Sequence, residues 1–137
     1  MKLYNVKGKL VSKNVSKNII DWDKPAKSKP QTQVKAFLKP FWKGYIVYEE
    51  FPVYGTQLRV DILNASLKIA IEVNGPQHNR FHFFHNGQPL NYLKGLTNDH
   101  DKSEWLERNG FTLIEINTDE VDTLSKEFFK EKFGVTL

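Results

Sequence analysis

Two carboxylates stand where a β-hairpin would least tolerate them. Asp61 lies in Gln57 to Asn64 and Glu72 in Lys68 to Val73, two runs otherwise dominated by Val, Ile, Leu and Ala. If these runs pair through a turn centred between Ser66 and Leu67, Asp61 and Glu72 are equidistant from that centre and face one another. Like charges directly across a ladder are destabilising, and an apolar setting raises the cost of each. A divalent cation with oxygen ligands would compensate, since Mg²⁺ is held by one or two carboxylates plus substrate phosphate oxygens. Two other readings stay open at this point. Arg59 or Lys68 could neutralise the pair, or a slipped register could turn one carboxylate to solvent.

Beyond Glu72 the chain reads Val73-Asn74-Gly75-Pro76-Gln77-His78, a sharp turn that would present amide and imidazole groups beside the carboxylates. His78, His82 and His85 have the i, i+4, i+7 spacing of a zinc-binding helical face, but Pro76, Gly87 and Pro89 argue against a helix there. His78 is better read as a general base or water-orienting group, with His82 and His85 as polar loop residues. Phe81, Phe83 and Phe84 read as the packed underside of a loop, or as a wedge that unstacks a base step.

The elements that must position these groups follow from periodicity. Residues 2 to 22 read as short strands or a hairpin, and Asp23 to Lys29 as a connector. Pro30 suits the first turn of a helix with Val34, Phe37, Leu38 and Phe41 inward, ended by Pro40 and Gly44. Tyr45 to Phe51 and the two runs above form a three-strand meander, followed by an irregular stretch from Asn74 to Thr97. Asn98 to Asn109 returns to helix, Phe111 to Ile116 is a fourth strand, and Thr118 can cap a last helix with Val121, Leu124 and Phe128 inward.

Composition bounds the function. The 137 residues suit one domain, the absence of Cys excludes disulfides and thiolate chemistry, and no apolar run approaches a membrane span. With no segment resembling a signal peptide, the expected compartment is the cytoplasm of a bacterial or phage-infected cell. The net charge of +4 is a cancellation: residues 1–43 carry eleven Lys against Asp21 and Asp23, a net +9, and the rest is net −5. A basic arm at residues 1–29 before a core at 30–137 suits a polyanion, with a solvated surface as the plainer reading.

In order, Arg59-Val60-Asp61, then Ile71-Glu72-Val73-Asn74-Gly75-Pro76-Gln77-His78, then Asp99-x-x-Lys102 and Leu106-x-x-x-Gly110 followed by Phe111-Thr112-Leu113-Ile114, resemble the PD-(D/E)XK nuclease superfamily. The resemblance spans about residues 28 to 117 and is strongest to the small branch of very short patch repair and phage or homing endonucleases. It implies an α/β fold with a restriction-endonuclease-like core, a mixed central sheet flanked by helices, here preceded by a basic β-arm. It makes Asp61 and Glu72 metal ligands, with the Val73 carbonyl as a third. Asn74 stands where most members have lysine, and His78 or Lys102 could take that role. Gln31 falls where the first helix often supplies a glutamate. Glu49 and Glu50, on opposite faces of a regular strand, allow at most one at the site, and Glu50 is the choice. Gln77 and Asp99 are further candidates.

The implied activity is Mg²⁺-dependent hydrolysis of DNA, with Mn²⁺ able to substitute, by a monomer or a homodimer. Lys7, Lys9, Lys13, Lys17, Lys27, Lys29, Arg59 and Arg80 are the expected phosphate contacts. The alternative is the same fold with its chemistry lost, binding DNA or RNA.

Overall fold

The computed structural model describes residues 1–74 and 100–137. Helix α1 (Lys29–Trp42) starts at Ser28, whose hydroxyl accepts from the Gln31 amide at 3.2 Å, and Pro30 sits in its first turn. Lys29, expected in the arm, is therefore helical. The helix buries Val34, Leu38 and Trp42, while Phe37 and Phe41 are only half-buried. Nor does Pro40 end it. Pro40 lies on the exposed side, where the carbonyl it cannot bond remains open to water, and the Lys43 amide resumes the ladder to Lys39 at 3.1 Å.

Strands β3 (Val47–Pro52), β4 (Arg59–Asn64) and β5 (Ile69–Asn74) form the expected antiparallel meander. Strand β6 (Thr112–Asn117) adds in parallel to β5, giving a mixed sheet in the order β3-β4-β5-β6. A parallel neighbour requires a crossover, and helix α2 (residues 100–108) belongs to it. Alternation along β4 and β5 divides the core. Ile62, Ile69 and Ile71 pack with Val34, Leu38 and Trp42 of α1 and with Phe129, whereas Leu63 and Ala70 pack with Trp105 and Leu106 of α2.

The N-terminal hairpin, β1 (Lys2–Tyr4) with β2 (Leu10–Ser12), lies on the second of these cores. Leu3 is buried, the Trp105 indole donates to the Tyr4 carbonyl at 2.6 Å, and the Tyr54 hydroxyl donates to the Met1 carbonyl at 2.8 Å. Gly55 (φ +91°) permits this docking, because a Cβ there would meet the Val6 side chain at 3.0 Å.

After β6, Thr118 does not cap the last helix. Asn117 and Glu120 form a capping box over a 3₁₀ segment (Thr118–Thr123), and helix α3 (Lys126–Phe133) starts later, capped by Ser125. Its buried residue is Phe129, one position beyond the expected Phe128. Among the described residues no helix is long and apolar enough to cross a membrane.

Candidate functional site

The β4–β5 register pairs Ile62 with Ile71, and one further step sets Asp61 opposite Glu72. The backbone ladder stops there, and side chains replace it. The Asp61 amide donates to Glu72 Oε2 at 2.8 Å, and the Val73 amide donates to Asp61 Oδ2 at 2.9 Å. Asp61 is 6% exposed and its partner strand is covered by α2, so both charges sit largely out of water.

Each carboxylate has one further oxygen, and each of these meets a lysine. Lys27 Nζ donates to Asp61 Oδ1 at 2.9 Å, and Lys102 Nζ donates to Glu72 Oε1. Neither Arg59 nor Lys68 compensates the pair. Arg59 is exposed, and Lys68 lies over the Phe111 ring, 4.9 Å from its centre. Lys102 reaches Glu72 from α2. Lys27, expected in the phosphate-tracking arm, sets its ammonium on Asp61 and Glu50 while its side chain stays 57% exposed. No periodic signal could have shown that, because it sits in the irregular connector.

The charges are not symmetrical. Burial, and then the Asp61 carboxylate, push Glu72 up to about 7, against the pull of Lys102. Burial would lower Lys27, but its hydrogen bond to Asp61 and the charges of Asp61 and Glu50 outweigh this and raise it. The site thus holds one acid that exchanges its proton near neutrality, beside a firmly charged ammonium.

Glu50 and Glu49 correct the expectation of opposite faces. Glu50 has a left-handed backbone (φ +54°), which breaks the strand's alternation, and both residues border one cleft. Glu50 Oε1 is 3.2 Å from Lys27 Nζ, buried and without a hydrogen bond. Glu49 pairs with Lys35 at 2.9 Å, and Lys35, 1% exposed, also donates to the Lys24 carbonyl at 2.7 Å. Gln31 is fully buried and reaches Glu49 rather than Asp61, at 3.5 Å, leaving its Oε1 unpartnered.

Asp61 and Glu50 offer carboxylate oxygens, the donor type a hard divalent cation takes. Asp61 Oδ1 and Glu50 Oε1 converge on the Lys27 ammonium, and that side chain is 57% exposed and can withdraw to solvent. Among the described residues no three His, Asp or Glu are grouped to hold a metal ion. Val73 and Asn74 close β5 beside the pair. Gln77, His78, Arg80, His82, His85, the Phe81, Phe83 and Phe84 cluster, and Asp99 lie outside the described residues. The remaining expected phosphate contacts are dispersed. Lys7 and Lys9 are exposed in the β1–β2 connection, Lys13 lies over the Tyr54 ring at 5.2 Å, and Lys17 is in a 3₁₀ turn (Ser16–Asn18).

No family model matches the chain, and no solved structure matches it. The chain is 28% identical over 99 residues to the uncharacterized protein 033L of Invertebrate iridescent virus 3, a match covering 68% of this chain and 50% of that protein. The chain therefore spans about half the length of that relative.

Proposed function

We propose that the chain is a metal-dependent endonuclease that hydrolyses DNA phosphodiester bonds. The observation that carries this reading is the buried Asp61–Glu72 pair, held at one end of the meander by crossed amide contacts and balanced by Lys27 and Lys102. Such an arrangement is costly for stability alone, and perturbed carboxylates of this kind concentrate at functional sites. Asp61, Glu50 and the Val73 carbonyl would hold Mg²⁺ or Mn²⁺. When bound, the ion supplies charge neutralisation at the phosphate and a lower pKa for a bound water. Glu72, near 7, would serve as the acceptor for a proton of the attacking water. Lys102 keeps Glu72 oriented, and Lys27, once released from Asp61, is placed to pair with a phosphate oxygen. His78 follows four residues after Asn74 and is a second candidate base.

Incubating supercoiled plasmid with the protein and Mg²⁺ or Mn²⁺, beside an EDTA control, tests the reading. Nicked or linear product only with the metal supports it, and unchanged plasmid under all conditions overturns it. One observation favours a second reading, a nuclease-like module that binds DNA or RNA without cutting. Lys27 and Lys102 already satisfy both carboxylates without an ion, and Asn74 and Gln31 are neutral where charge would serve catalysis. Retention of DNA in a mobility gel with no cleavage would select it.

A further inference from the structure

An open cleft of about 320 Å³ lies beside the carboxylates, between the segment from Lys17 to Pro25 and the edge of the sheet at β3 and β4. We infer that this cleft is a subsite for one nucleotide of a DNA strand, next to the phosphate at Asp61, an inference that rests on the nuclease reading above. Its volume is at the lower end of small-ligand sites, about 300 to 1,000 Å³, which suits one nucleotide rather than a duplex groove.

Its lining has the chemistry of a phosphate and a base. Lys17, Lys24 and Arg59 line it, and none of the three makes an ion pair with a carboxylate among the described residues. The cleft's own carboxylates are largely engaged. Glu49 is paired with Lys35, Glu50 with Lys27, and Asp21 Oδ1 accepts from the Asp23 amide at 3.0 Å. With Glu49 and Glu50 each paired to a lysine, the three unpaired cations of the lining outnumber its one carboxylate without an ion pair among the described residues, Asp21. Ile19, 58% exposed, supplies an apolar surface against which a base can lie.

The cleft is built rather than incidental. An isolated bridge joins Ile19 to Tyr48, and the Ile20 amide donates to the Val47 carbonyl at 3.0 Å, fixing the segment on the sheet edge. Asn18 Nδ2 donates to the carbonyl of the left-handed Glu50 at 2.9 Å, and the Glu50 carboxylate shares the Lys27 ammonium with Asp61, which links the cleft to the pair. Arg59, two residues before Asp61 on β4, and Lys24, three before Lys27, carry the continuity of the two regions along the chain.

The test is fluorescence anisotropy of a labelled twelve-nucleotide oligothymidylate with the full chain in EDTA. Lys24→Glu, Arg59→Glu and, as an equal charge change at the first turn of α3, Lys126→Glu are compared with the parent. Lys24→Glu and Arg59→Glu are each expected to weaken binding about tenfold and to reduce the magnitude of the salt slope by about 0.7. Lys126→Glu should change the affinity less than about twofold, a bound set by distant screening. Equal losses in all three variants, or no loss in the cleft variants, overturn the subsite. The nuclease reading fails separately, on plasmid left uncut with Mn²⁺. Cutting by the Lys24 and Arg59 variants at the parental kcat/KM would remove the subsite and leave the nuclease.

Discussion

Asp61 and Glu72 exchange contacts across β4 and β5: the Asp61 amide binds the Glu72 carboxylate, and the Asp61 carboxylate binds the amide following Glu72. Two like charges thus occupy the place of a backbone ladder, each solvating the strand of the other. Amide contacts favour both anions, but burial and mutual repulsion oppose them, and in Glu72 the opposition prevails. The consequences are measurable without knowing the substrate.

Stability should fall as the pH rises from about 4.5 to about 7. In that window the folded chain keeps the Glu72 proton while the unfolded chain, with an ordinary value of 4.5, has released it. Folding then takes up a proton, and the slope of unfolding free energy against pH is negative, at most about 1.4 kcal/mol per pH unit for one group. Glu72→Gln should remove this component. Urea midpoints of the parent and the variant between pH 5 and 8 give the difference, and parallel curves would show that Glu72 titrates normally.

Lys102 is expected to matter most when Glu72 is ionised. Both side chains are largely buried, at 17% and 13% exposed, and removing one partner of such a pair costs about 3 to 5 kcal/mol. Glu72 has an escape, because taking up a proton cancels the uncompensated charge. Lys102→Met should therefore destabilise strongly at pH 8 and much less at pH 5. Equal losses of denaturation midpoint at the two pH values would place the role of Lys102 in packing of its stem.

Lys27→Met should separate the ammonium from the ion it is proposed to yield to. Its side chain is mostly exposed but the Asp61 carboxylate it leaves is buried, so without metal its loss is expected to cost more than the roughly 1 kcal/mol of an exposed pair. With Asp61 and Glu50 then unpaired, Mn²⁺ should raise the thermal midpoint more in Lys27→Met than in the parent, as mass action on a vacated site requires. Differential scanning fluorimetry against a Mn²⁺ series measures this. Equal shifts would mean that ion and ammonium do not compete.

How much of the site is legible in the residues depends on regularity. Asp61 and Glu72 are readable because a period of two and a short turn leave little choice of partner. The fourth strand and the helix before it follow from similarly periodic runs. Lys27 is not readable, since its position comes from the Ser28 cap and the path of an irregular connector. The choice of Glu50 over Glu49 agrees with its place beside Lys27, but the rule behind it does not hold: strict alternation sets the two on opposite sides, and the left-handed backbone of Glu50 overturns that. The inward face of α1 centres on Trp42 rather than Phe41, because the larger indole takes the buried end of a helix that Pro40 does not stop.

Asp61→Asn bears on both chemistry and electrostatics. The side-chain amide oxygen that replaces the carboxylate can still accept from the Val73 amide, so the β4–β5 end should stay closed and the fold should survive. A neutral amide holds a divalent cation poorly, so Mg²⁺-dependent plasmid cleavage should be lost. Oligonucleotide binding in EDTA, assigned by the proposed subsite to the cleft lysines and Arg59, should stay within about twofold, since affinity for phosphate follows the cationic contacts. The same change removes the negative charge that ranks second, after burial, in raising Glu72. The Glu72 side-chain resonance, followed by carbon-detected NMR, should therefore titrate below about 7 in the variant. Undiminished cleavage would remove Asp61 from the reaction, while lost cleavage with an unshifted Glu72 would mean that burial alone sets the acid.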